Sequence, residues 1–170
     1  MQCLIGLTSL SASNGSADGI CLRGTNGENN FSRASTNTRD QIAFYNPNGL
    51  CGRIQTSGSS TSYNTSSDYR LKENVVDLSD GITRLKTLKP KRFNFIIDET
   101  NTTVDGFLAH EVTAVPEAVS GEKDAVDEDG NPDYQVIDHS KLVPLLTAAL
   151  QEAITEIETL KAKVAALEGS

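Results

Sequence analysis

The sequence predicts two regions of different class: an all-β segment over residues 1–66 and an α+β domain over 67–170 that ends in a long helix. Three observations carry this. Ser, Thr, Asn and Gly fill 34 of the first 66 positions but only 23 of the following 104. Leu, Ile, Val and Phe run the other way, with 11 before that seam and 30 after it. An unbroken 3-4 spacing of apolar residues then occupies the end of the chain. Charge divides at the same place, +1 before (4 Arg against 3 acids) and −9 after (11 basic against 20 acidic), and all eight lysines lie at or beyond Lys72.

The whole chain has 170 residues, of which 41 are Leu, Ile, Val or Phe. That share clears the roughly 20% floor below which a highly charged chain reads as disordered. A net charge of −8 argues against generic nucleic-acid binding. No 18-residue apolar run and no basic-then-apolar leader is present, so neither membrane insertion nor a signal peptide is expected. Cys3, Cys21 and Cys51 make neither an even disulfide framework nor a CxxC pair, and read as reduced thiols.

Residues 1–66 carry too little apolar surface to offset their ordering entropy as a monomer. Either they form a flexible linker, or they are strands whose core exists only when identical chains pack together. The run QIAFYNPNGLCGRIQTSG favours strands. Ile42 and Phe44 precede the turn Asn46-Pro47-Asn48-Gly49, and Leu50 to Ile54 follow it.

In the second region Leu78, Ile82, Leu85 and Leu88 have helical spacing, with Ser79 or Asp80 as a start signal and Pro90 as the stop. Phe93, Phe95 and Ile97 alternate as a half-buried strand. Val104 to Val112 is a second apolar run, closed by Val115-Pro116. Residues 120–133 form an acidic hairpin turning at Asp129-Gly130, and Tyr134 to Ile137 is a brief strand. A helix over about 141–168 follows. Val143, Leu150, Ile157 and Val164 take heptad position a, and Leu146, Ala153, Leu160 and Leu167 take d. Glu156 at g and Lys161 at the next e are placed for an interchain ion pair. Self-association through this seam is the expectation, against an amphipathic helix packed only on its own domain.

Conventional site patterns (HExxH, GxSxG, a glycine-rich phosphate loop, CxxC) are absent, and no cofactor or metal is expected. The acidic turn fails as a calcium loop, because aligning Gly130 to the loop glycine puts Ala125 and Val136 at the first and last ligands. His110 reads as a packed or polar-satisfied histidine rather than a base. The seam itself offers more. Ser67 and Lys72 place a hydroxyl and an amine five residues apart. A serine is activated when a neighbour accepts its proton, and a neutral lysine is one such acceptor. Lysine must be desolvated or set beside another cation to act as a base near neutrality, and Arg70 is near enough in sequence to be that cation. A spacing of five puts the two side chains on different faces of an ideal helix, so the pairing needs a bend or a contact from another chain.

The stretch SSDYRLKENV closely resembles the Ser-Asp-x-Arg-Leu-Lys signature of the C-terminal intramolecular chaperone domain of phage tail spikes and fibres, the endosialidase type of auto-peptidase. GITRLKTLKPKRFNF, GFLAHEV, the acidic turn and the closing helix are similar to that family in order and spacing. NPNGLCGRIQTSGSSTSYNTSSD is similar to the fibre sequence that precedes such a domain. The resemblance implies a homotrimer whose first region is an intertwined β stalk, of triple β-helix or β-prism type, and whose chaperone domain leaves after cutting Ser66–Ser67. It makes Ser67 the nucleophile and Lys72 its base. Asp68 and Arg70 are candidates for site support: Arg70 either orients the site or pairs with Asp68, and Asp68 reads equally as a turn residue. It also implies release in the bacterial cytoplasm during assembly, residence of the mature fibre in the virion tail, and a host surface receptor as its partner. The alternative is a permanent, uncleaved fibre tip serving structure or receptor binding. A membrane-bound transcription factor with the same module is disfavoured, since no DNA-binding segment or membrane span is seen.

Overall fold

The computed structural model describes residues 2–5, 19–23 and 29–169, with side chains from Phe31 onward. Two compact units divide the chain, Met1–Val75 and Val76–Ser170. The first is built of antiparallel sheet. Strands β1 (Gln2–Ile5), β2 (Gly19–Arg23) and β3 (Asn29–Ser32) form one three-stranded sheet in that order. Strands β4 (Arg39–Asn46), β5 (Gly49–Ser57) and β6 (Ser60–Thr65) form another.

The hairpin expected around Pro47 is present, with Asn46 opposite Gly49. The Asn46 carboxamide oxygen accepts from the Asn48 N–H at 2.9 Å, and Gly49 supplies the φ of +104° that closes the turn. Pairing of β4 with β5 is broken twice. Near the turn Phe44 faces Gly52 and Tyr45 faces Leu50, which leaves Cys51 as an extra residue on β5. Among the described side chains of this unit only Ser32 is buried, and Phe44, Tyr45 and Tyr63 are exposed. Backbone pairing organises this sheet without an apolar core of its own.

The second unit has such a core. Val112, Val115, Ala118, Leu142 and Leu145 are buried together, with Leu88, Phe107, Ala114, Val119 and Ile137 packed on them. Two small hairpins border it. One pairs β7 (Lys91–Phe93) with β8 (Val104–Gly106), and the other pairs β9 (Val119–Ser120) with β10 (Val136–Ile137). Helix α1 (Gly81–Leu85) lies against the long helix α2 (Val143–Glu168). Their contact is close enough that a Cβ on Gly81 would meet the backbone N of Ala149 at 2.4 Å. Glu152 of α2 accepts from the N–H groups of Gly81 and Ile82, at 2.6 and 2.9 Å, so a carboxylate meets the donors at the start of α1 that have no partner within the helix. Arg84 donates through its guanidinium to the Ala114 carbonyl, tying α1 to the core loop.

Three expectations are corrected. The helix expected from Leu78 to Leu88 is shorter, Gly81–Leu85, because Thr87 and Leu88 N–H groups bond three residues back rather than four and tighten the end before Pro90. The strand through Phe93, Phe95 and Ile97 stops at Phe93. Phe95 still meets Phe93 edge-on at 5.3 Å, while Ile96 and Ile97 occupy an exposed turn in which Asp98 accepts from Thr100 and Thr102. His110 is exposed rather than packed. It sits on the 3-10 turn Ala109–Glu111 and lines a groove of about 460 Å³ shared with the acidic hairpin, including Asp133 and Tyr134. The hairpin itself forms as expected, with Gly130 at φ +82° and Val126 bridged to Pro132.

The long helix forms close to its expected bounds, introduced by a 3-10 turn, His139–Leu142, whose first residue is preceded by the capping side chain of Asp138. It carries two apolar faces. Leu145, Ala148 and Ala149 are buried against their own unit. Val143, Leu146, Leu150, Ile157, Leu160 and Val164 of the heptad seam, by contrast, lie between 47% and 62% exposed. Ala153 is half-buried, and Leu167 is exposed near the helix end. Among the described residues no helix is long and apolar enough to cross a membrane.

Candidate functional site

The Ser67–Lys72 pair comes together through local backbone geometry. Asp68 is extended (φ −65°, ψ 137°), Tyr69–Leu71 make one 3-10 turn, and Lys72 is extended again (φ −125°, ψ 141°). The turn reverses the chain over three residues, which supplies the bend that an ideal helix would lack. Lys72 Nζ then lies 2.7 Å from Ser67 Oγ and 3.2 Å from the Ser67 carbonyl oxygen. Both side chains are exposed in the single chain.

Asp68 and Arg70 hold that turn. The Asp68 carboxylate accepts from the Arg70 backbone N–H at 2.9 Å, a cap on the turn, and from Nε and Nη2 of the same residue at 2.9 and 2.8 Å. The Arg70 guanidinium, and secondarily its N–H, pulls Asp68 below the usual aspartate range, and Asp68 in turn raises Arg70. Arg70 is therefore engaged with Asp68.

On the other side of the junction, Ser66 is bound to β5. Its N–H donates to the Cys51 carbonyl at 3.0 Å and its hydroxyl to the Leu50 carbonyl at 2.6 Å. Sequence reading found Ser66 only as the residue before the signature serine. Its acceptors are backbone carbonyls of residues 50 and 51, which no side-chain motif reveals. The Cys51 side chain is a free thiol, donating weakly to the Gly49 carbonyl at 3.6 Å, while the Cys3 and Cys21 side chains lie outside the described ones.

Among the described residues the other polar side chains do not converge on a second centre. His139 is tilted against Phe107 at 6.2 Å, and Glu111 is bracketed by Lys89 and Lys91 at 3.7 and 3.5 Å. Among the described residues no group of three metal-ligating side chains occurs.

Residues 67–120 match a family model described as chaperone of endosialidase. Over residues 67–120 the chain is thus similar to that chaperone family. The match begins at the serine paired with Lys72 and runs through α1, both strands of the β7–β8 hairpin and the core loop to Ser120. It sets the chain in the context of phage tail-fibre assembly. The acidic hairpin and α2 lie beyond the matched residues. No curated protein matches the chain.

Proposed function

We propose that the chaperone domain drives trimerisation and folding of the preceding β segment and then releases itself by cutting between Ser66 and Ser67. The observation that carries this reading is the 2.7 Å approach of Lys72 Nζ to Ser67 Oγ at the start of the chaperone match. Lys72, once neutral, takes the Ser67 hydroxyl proton, and Oγ attacks the Ser66 carbonyl carbon. The Oγ–C bond forms as the Ser66–Ser67 C–N bond breaks, and Lys72 passes the proton to the departing amine of Ser67. Water then hydrolyses the ester, leaving a Ser66 carboxylate and restoring the Ser67 hydroxyl. The event is a single turnover within each chain.

The exposed a and d residues of α2 support assembly through that face, since seven of the eight are exposed in the single chain. The sheet of β4–β6, lacking a buried apolar side chain, supports a stalk whose core forms between three chains. Assembly also times the cut. In water a lysine keeps its proton, whereas enclosure between chains favours the neutral form. Cleavage therefore follows trimer formation and speeds up with rising pH. The released stalk stays trimeric behind a high unfolding barrier, as the virion fibre that meets the host surface.

A denaturing gel of the full 18.2 kDa chain, followed through expression, tests the reading. Wild type is expected to give two fragments divided after Ser66, while Ser67→Ala and Lys72→Ala stay whole and still assemble. A single full-length wild-type band would instead support a permanent fibre tip.

A further inference from the structure

We infer that the Ser66 hydroxyl is a positioning group for the cut, and that the bulge at Cys51 exists to grip it. This inference rests on the self-cleavage proposed above and adds how the acyl side of the bond is held. In a regular antiparallel ladder consecutive carbonyls point to opposite edges of a strand, so a residue on the neighbouring strand meets only one of two in succession. The carbonyls of Leu50 and Cys51 break that rule, because both accept from Ser66. The extra residue in β5 is Cys51 itself, set between the pairs Phe44–Gly52 and Tyr45–Leu50. A bulge bends its strand and re-aims the groups beside it.

Gly52 completes the grip. It pairs with Thr65, one residue before Ser66, and a Cβ there would stand 2.8 Å from the Asn64 carbonyl oxygen. Any larger residue would push β6 away just before the junction. The bond to be cut is thus fixed on both sides: Ser66 by β5, and Ser67 by Lys72. Because one clamp is the β5–β6 pairing, the cut depends on the last hairpin before the chaperone domain having closed. The site reads the folding of its own substrate.

The test compares first-order cleavage rates of the full chain, by denaturing gel after a pulse of synthesis, with trimer content measured by light scattering. Ser66→Ala is expected to slow cleavage about tenfold, the rate equivalent of ~1.4 kcal/mol, with trimer unchanged. Ser66→Thr, which keeps the hydroxyl, is expected to cut within about threefold of wild type, ~0.6 kcal/mol on the same scale. Gly52→Val keeps the side chains of Ser66, Ser67 and Lys72 but pushes β6 away from β5, and is expected to slow cleavage as Ser66→Ala does. Wild-type rates in Ser66→Ala, or equal slowing in the Ala and Thr variants, would overturn the positioning role while leaving self-cleavage intact. A wild-type chain that stays whole, or a Ser67→Ala chain that is still cut, would remove the underlying reading and this inference with it.

Discussion

The unit up to Val75 and the unit from Val76 bury different things. Seven hydrophobic residues of the second, from Val112 to Ala149, are buried, and two of them, Leu145 and Val115, are almost completely enclosed. No described apolar side chain of the first reaches that state, and its large residues Phe44, Tyr45 and Tyr63 are 53%, 70% and 79% exposed. Hydrogen-bonded pairing fixes register in both, but a net backbone hydrogen bond contributes only about 1 kcal/mol. A fully buried Leu or Val contributes about 1.5–3 kcal/mol beyond that. The described part of the first unit therefore rests on strand pairing, and the second on an apolar core of its own.

The strongest way to break the contrast is to place charge on the exposed face of α2. Leu150→Asp with Ile157→Asp puts carboxylates on an apolar face that is 62% and 50% exposed at those positions, so the single domain tolerates them. Between chains the same carboxylates would be desolvated without counter-charges, a cost of several kcal/mol each. Light scattering is expected to report monomer or aggregate in place of trimer, and the denaturing gel no cleavage. A normal trimer from this double variant would mean that α2 is not the assembly face.

Smaller effects separate the second unit's own stability from assembly. Leu145→Ala opens a cavity at the centre of the core and is expected to lower domain stability by about 2–5 kcal/mol in denaturant titration. Glu152→Ala removes the carboxylate that meets the Gly81 and Ile82 N–H groups, for an expected loss of about 1 kcal/mol. Both changes sit away from the exposed seam, so trimer content at low temperature should hold. Equal losses from the two would show that the α1 contact matters as much as the core.

Much of this contrast is legible in the sequence, because composition and heptad spacing report which surfaces have apolar groups to bury. The hairpin at Pro47 and the long helix follow from turn residues and period. The extent of the short elements does not. Phe95 and Ile97 alternate as a strand would, but Asp98 offers Thr100 and Thr102 a competing turn. The buried face of α2 at Leu145, Ala148 and Ala149 is masked by the louder heptad beside it. At the candidate site, the signature residues are readable one by one, whereas the bend that joins Ser67 to Lys72 and the carbonyls that hold Ser66 belong to the backbone.

The smallest expected effect concerns Asp68, and it sharpens the division of labour within the first unit. Hydrogen bonds from the Arg70 side chain, then from its N–H, lower the Asp68 carboxyl below its ordinary value of 3.8. A depressed carboxyl contributes stability that is fully present above the unfolded value and is lost as pH falls through the folded one. The Asp68 contribution to the turn over Tyr69–Leu71 is therefore present at neutral pH and is lost as pH falls through that lowered value. Asp68→Asn removes the ion pair with Arg70 yet keeps an oxygen to accept the Arg70 N–H, and the pair is exposed, where such interactions contribute little. The variant is expected to cut slightly more slowly than wild type, with the same shape of rate against pH from about pH 6 to 9. A displaced profile would place Asp68 in the proton path rather than in the turn, and a complete loss of cutting would show that the bend depends on the Arg70 pair.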